Sequence, residues 1–208
     1  SRGLGDVYKR QKQALAAFGR LSVQGLDFRF TGRPLLLENI FFDLQKGEMI
    51  ALMGESGCGK STLLQILQGF LEPAKGKIEV NGQDIGQYNL RDWRKILGVV
   101  PQEIQLFNAS IAENIALAAY EEIDQDEVEA FLKSYGLEQP FLSMPAGLDT
   151  VVGESGVNLS GGQQQLLGIA RALYHQPQLL LLDEATAAMD RATEKQILNL
   201  LQRLKKEM

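Results

Sequence analysis

Eight consecutive residues constrain this chain more than any others: Gly54-Glu55-Ser56-Gly57-Cys58-Gly59-Lys60-Ser61. They fit the pattern G-x-x-x-x-G-K-[ST]. The apolar segment Met49–Met53 before them reads as a strand buried on both faces, and a helix is predicted from Lys60 to about Gly69. A polyphosphate carries several negative charges. Successive backbone N–H groups and a helix N-terminus can surround it only where side chains stay clear, hence the glycines. The spacing assigns Lys60 to the β- and γ-phosphates and the Ser61 hydroxyl to Mg²⁺. Gly57-Cys58-Gly59 is not a dinucleotide fingerprint, because the third motif position lacks glycine.

A second motif answers the first. Leu179-Leu180-Leu181-Leu182 predicts a buried parallel strand, and Asp183-Glu184 follow at its C-terminal end, where α/β sheets bind ligands. Asp183 is expected to hold Mg²⁺ through water, and Glu184 to act as general base on the attacking water. A third string, Leu159-Ser160-Gly161-Gly162-Gln163, opens a helix with an N-cap serine and two glycines that leave its start bare. That is a second anion site in one chain. One nucleotide does not easily fill both, so a dimer is expected in which each chain's second site closes over its partner's ATP.

The surroundings fit an α/β domain. Buried strands are predicted at 49–53, 96–100 and 179–182, alternating with helices, which implies a parallel sheet covered on both faces. Residues 21–45 alternate like antiparallel strands, and Asn81-Gly82 reads as a turn. Residues 103–148 are expected to be mainly helical and surface-exposed. Asp124 is placed at an N-cap with capping-box spacing to Glu127, and Gly136 at the C-terminal stop. His175, the one histidine, is expected to be a cation near a helix C-terminus.

Composition excludes several classes. No apolar run approaches the about 20 residues a membrane helix needs, and no signal peptide opens the chain. The lone Cys58 forms no internal disulfide, as in a reducing compartment. Residues 1–20 carry a net charge of +4 and the remainder −9, and the acidic body argues against nucleic-acid binding. The basic segment 1–20 is expected to be a linker remnant or an appended tail; a lead-in helix ending at Ala14–Phe18 is the alternative.

With these residues in place, the sequence resembles the ATP-binding cassette (ABC) transporter ATPase domain over about residues 21–208. The motifs in order are the Walker A loop at 54–61, the Q-loop Val99-Val100-Pro101-Gln102, the signature at 159–163, Walker B at 179–184, and a D-loop at Ala187-Ala188-Met189-Asp190. The resemblance implies a P-loop NTPase fold: a mostly parallel core sheet flanked by helices, a small antiparallel β-subdomain, and a helical subdomain at about 103–175. It adds Thr62 to the phosphate site and places Phe30 as the adenine-stacking aromatic, where tyrosine is commoner. It makes Gln102 a contact of Mg²⁺ and the attacking water, catalytic alongside Glu184 and Lys60. It brings Ser160, Gly161, Gly162, Gln163 and Asp190 to the nucleotide.

The same resemblance implies ATP and Mg²⁺ as cofactors, a head-to-tail partner domain and transmembrane domains as partners, and a place on the cytoplasmic face of the cell membrane. Leu106–Ile115 and Thr150–Glu154 look like the exporter subgroup, which implies export of a peptide, lipid or drug-like substrate, with peptide or bacteriocin favoured. The alternatives are a non-transport ABC ATPase and a nucleotide-binding module with little turnover. Two features depart from the family. The switch histidine would fall beyond Met208, so the chain reads as C-terminally truncated. Gln164 and Leu166 stand where basic residues are common.

Overall fold

A computed structural model describes residue 15, residues 17–184 and residues 190–207. The alternating N-terminal pattern makes a four-stranded antiparallel sheet in the order β2-β1-β3-β4: β1 (Arg20–Phe28), β2 (Leu37–Gln45), β3 (Lys75–Val80) and β4 (Gln83–Asp84). Between β3 and β4, Asn81 and Gly82 take φ of 52° and 79°. That pair of left-handed residues gives the turn its two-residue hairpin form. The fold reaches back before Leu21. Phe18 is buried and its N–H donates to Gln178 Oε1 at 2.6 Å, while the Asn81 side chain bonds Ala17, Gly19 and Arg20. The rest of the segment read as a tail lies outside the described residues, apart from Leu15.

After β2 come α1 (Lys60–Leu67), α2 (Leu90–Lys95), β5 (Leu97–Val100), a short antiparallel pair of β6 (Ala109–Ser110) with β7 (Val151–Val152), and helices α3 (Ile111–Ala116), α4 (Gln125–Tyr135), α5 (Gln139–Leu142) and α6 (Gly161–Tyr174). β8 (Leu179–Leu182) and α7 (Arg191–Glu207) complete the order. β5 and β8 are parallel, with Leu97 opposite Leu179 and Val100 opposite Leu182. Two apolar cores meet at β8. Leu179 and Leu181 belong to the core shared by the antiparallel sheet and α1, whereas Leu180 and Leu182 pack against the core built by α3 to α7.

Caps explain the helix boundaries. Asp124 Oδ1 accepts from the N–H of Asp126 and of Glu127, and Gly136 ends α4 at φ 70°. Reciprocal capping boxes, each satisfying two otherwise unpaired N–H groups, are formed by Ser110 with Glu113 and by Ser160 with Gln163.

Two expectations are corrected. Residues 103–148 are mainly helical, from Ile111 onward, but not superficial: Ile111, Ile115, Val128, Leu132 and Phe141 are completely buried, because several short helices enclose a core of their own. And Met49–Met53 is not a buried strand. Met49 is 53% and Met53 92% exposed, and the segment has no ladder partner among the described strands. An apolar run states a need for burial, whereas a strand also needs a hydrogen-bonded neighbour. Here Ile50 and Leu52 face β8 across a cavity of about 400 Å³ instead of pairing with it.

Candidate functional site

The phosphate loop is built from its glycines. Gly57 and Gly59 lie at φ 81° and 101°, where other residues are strained. A Cβ on Gly59 would sit 2.8 Å from Leu37 Cδ2, so the start of β2 presses against the loop. Gly59 is the N-cap of α1, and no side chain caps that helix or places a carboxylate in its first turn. Its amide dipoles are therefore not neutralised by the chain. Lys60 Nζ folds back to donate to the carbonyls of Gly54 (2.9 Å) and Glu55 (3.0 Å). Cys58 is exposed. The far end of α1 is also held: Trp93 Nε1 donates to Leu67 O at 2.7 Å, and the Arg94 guanidinium to Gln68 O and Gly69 O, both at 3.0 Å.

The carboxylates sit where the sequence put them. Asp183 N–H donates to Val100 O at 2.9 Å, extending the parallel ladder one residue past β8. Glu184 then takes φ 50°, a strained value for a residue with a Cβ. The Gln102 side-chain amide donates to Glu184 Oε2 at 3.1 Å. Lys60, Asp183 and Glu184 line one cavity, so the phosphate loop and the two carboxylates open onto a common space.

The other predicted residues are placed as follows. Ser160 caps α6: its Oγ accepts from Gln163 N–H at 3.3 Å, and Gln163 Oε1 accepts from Ser160 N–H at 2.9 Å. The helix start is thus less bare than expected, with Gly161 and Gly162 contributing backbone without bulk. Residues 159–163 do not line the cavity shared by Lys60 and Glu184. Phe30 is 43% exposed and stands edge-on to Phe28, ring centroids 5.0 Å apart, in a turn closed by Arg33 N–H donating to Phe30 O. Asp190 caps α7 through Thr193, and Ala187–Met189 lie outside the described residues. His175 ends α6 with Nε2 3.1 Å from Ala116 O.

Sequence reasoning missed two groups. One is the Trp93–Arg94 clamp on α1. The other is a stripe on α6 formed by Gln165, Gly168 and Arg171, which faces the irregular segment after Gln102. Burial pushes the Arg171 pKa down from its ordinary value. Three hydrogen bonds to Gln105 O, Asn114 O and Asn114 Oδ1 offset that cost. Leu166, one of the departures from the family pattern, is a buried core residue.

Comparison with known proteins identifies the family and the fold. A family model described as "ABC transporter" matches residues 37–187. The chain is 43% identical over 182 residues to the ABC multidrug transporter MDR1 of Cryptococcus neoformans, covering 85% of this chain and 13% of that protein. It is 43% identical over 192 residues to the ATP-dependent lipid A-core flippase of Pasteurella multocida, covering 91% of this chain and 33% of that protein. The chain therefore spans a third or less of these relatives. Its fold is similar to a solved bacterial Atm1-family ABC exporter with ATP bound, with a TM-score of 0.84 and 36% identity over 94% of this chain and 34% of that one. On the motifs, the fold and these matches together, the chain belongs to the ABC transporter family.

Proposed function

We propose that this chain binds and hydrolyses MgATP and that hydrolysis drives export across a membrane. The observation that carries the reading is the Gln102–Glu184 hydrogen bond, whose Glu184 lines the same cavity as Lys60. A lysine and an uncapped helix start offer positive potential to a polyphosphate. A carboxylate held by an amide at the other side offers a base.

In the proposed reaction Glu184 accepts a proton from water as the water oxygen attacks the γ-phosphorus. The bond from that phosphorus to the β–γ bridging oxygen breaks, and ADP leaves with the electron pair. Lys60 has three N–H donors, two of them on loop carbonyls in this structure; it transfers them to phosphate oxygens when nucleotide binds. Ser61, Gln102 and Asp183 supply the oxygen donors that suit Mg²⁺, a hard cation that takes few protein ligands and shares the phosphates. Bound there, Mg²⁺ would neutralise charge between the β- and γ-phosphates. Phe30 is 43% exposed in the turn between β1 and β2, and its ring is proposed to stack on the adenine.

The signature residues belong, in this reading, to a second copy's nucleotide. Ser160 and Gln163 lie apart from the cavity of their own phosphate loop, which supports a head-to-tail pair in which each α6 start faces the partner's ATP. Asp190 would lie at the same seam. Among the described residues no helix is long and apolar enough to cross a membrane. By likeness to the exporters it resembles, transmembrane domains are proposed as its partners, with this chain on the cytoplasmic face. The two curated relatives above are named for drugs and for a lipid, and nothing in the site selects the peptide cargo expected from the sequence. The test is steady-state phosphate release from MgATP by the wild-type protein and by Glu184→Gln, with nucleotide binding measured in parallel. Release that is equal in both overturns the hydrolytic reading.

A further inference from the structure

The segment from Gln102 to Asn108 has no regular secondary structure, so no ladder fixes its carbonyls. Helix α6 does so with three residues at three-residue spacing, which lie along one side of a helix. Gln165 Nε2 donates to Gln102 O at 3.2 Å. Gly168 leaves room for Ile104, whose Cδ1 would clash with a Cβ at that position. Arg171 donates to Gln105 O at 2.9 Å, and its guanidinium lies 5.4 Å from the Phe107 ring centroid. From the other side the buried Asn114 clasps Phe107, accepting from its N–H at 2.9 Å and donating to its carbonyl at 3.0 Å.

Gln165 stands out in this stripe. It is only 6% exposed, and its Oε1 is buried with no hydrogen-bond partner. An apolar side chain of the same length would fill the space without burying an unpaired oxygen such as Oε1. Packing alone therefore does not account for an amide here. What the amide does is hold the main chain of Gln102, whose side chain in turn holds Glu184.

We propose that Gln165 is a positioning residue for ATP hydrolysis: by holding the Gln102 carbonyl it sets the Gln102 amide against Glu184, and so ties the signature helix to the hydrolytic pair. This rests on the reading of Gln102 and Glu184 given above. Gln165 touches neither of the reacting groups and acts through the main chain of its neighbour in space.

The decisive variant is Gln165→Met, which keeps the length and removes both polar atoms. Measured on the intact protein with MgATP, kcat is expected to fall about tenfold, the effect of losing one aligned hydrogen bond. KM is expected to stay within about twofold, since the phosphate loop is untouched, and the melting temperature to stay level or rise. Gln102→Ala is measured alongside, together with the double variant. If Gln165 works through Gln102, the double variant is no slower than Gln102→Ala alone. A wild-type kcat in Gln165→Met beside a slow Gln102→Ala overturns this inference and spares the hydrolytic reading; so does an additive double variant. A wild-type kcat in Gln102→Ala overturns the role of Gln102 itself and this inference with it. Should Gln165→Met melt early, Gln165→Asn takes its place, because it keeps the amide one methylene short of the carbonyl. A folded Gln165→Asn with wild-type kcat equally overturns the proposal.

Discussion

The side-chain amide of Gln102 donates to Glu184 Oε2 at 3.1 Å across 82 residues of sequence. Each residue follows the end of one strand of the parallel pair, Gln102 after β5 and Glu184 after β8, so the ladder that aligns the strands also aligns the pair. Glu184→Gln keeps the shape and removes the proposed base. Turnover should fall by a factor of about 10² or more while MgATP affinity is retained. Phosphate release and equilibrium dialysis on one preparation check this, and near-normal turnover would exclude Glu184 as the base.

Lys60→Ala addresses binding instead. The ammonium lies across the loop on the carbonyls of Gly54 and Glu55. Charge-assisted contacts of this kind are worth about 1.5–3 kcal/mol, so affinity for MgATP should weaken by about 10- to 150-fold. Unchanged affinity in equilibrium dialysis would remove the loop from the nucleotide site.

Cys58 is exposed within the loop and free of any disulfide. A maleimide should label it readily in the free protein and slowly under saturating MgATP. Equal labelling rates in the two conditions would place the nucleotide elsewhere.

Gly98 tests the packing that carries Gln102. A Cβ there would lie 2.6 Å from Ala172 O, 2.8 Å from Pro177 Cγ and 2.9 Å from Leu180 Cδ1. The nearest of these is backbone and cannot swing aside. Gly98→Ala should cost about 1–3 kcal/mol, visible as a lower denaturant midpoint at unchanged slope.

The Ser110–Glu113 capping box gives a pH signature. Hydrogen bonds from the Ser110 hydroxyl and then from its backbone N–H hold the Glu113 carboxyl below its usual value. A depressed carboxyl stabilises the fold above its unfolded pKa of about 4.3, and that contribution is lost as pH falls through the lower folded value. Glu113→Gln should therefore lose less stability than wild type as pH drops below about 4.3. Urea unfolding at matched pH values checks the difference, and parallel curves would rule it out.

Much of the site was legible because phosphate chemistry dictates local sequence. Glycines at fixed spacing, a lysine and a strand ending in two carboxylates are needed whatever surrounds them. The dinucleotide Asn81-Gly82 announced its turn for the same local reason. Met49–Met53 was misread because apolar content reports a demand for cover, not which neighbour supplies a ladder. Gln165 was illegible for the opposite reason. A glutamine on an otherwise apolar helix face shows no partner until the fold brings Gln102 O to it. The Trp93–Arg94 clamp, reaching from α2 to the end of α1, is likewise a product of tertiary approach.

The four leucines of β8 act as a party wall. Alternate side chains answer to different cores, and both are anchored to the backbone that ends in Asp183 and Glu184. Slackness in either core is thereby delivered to the same two carboxylates. A cavity opened far from the nucleotide, whether among the helices or under the antiparallel sheet, should register first as misaimed chemistry and only later as unfolding. On the proposed reading, the rate of hydrolysis doubles as a gauge of how tightly both halves are packed.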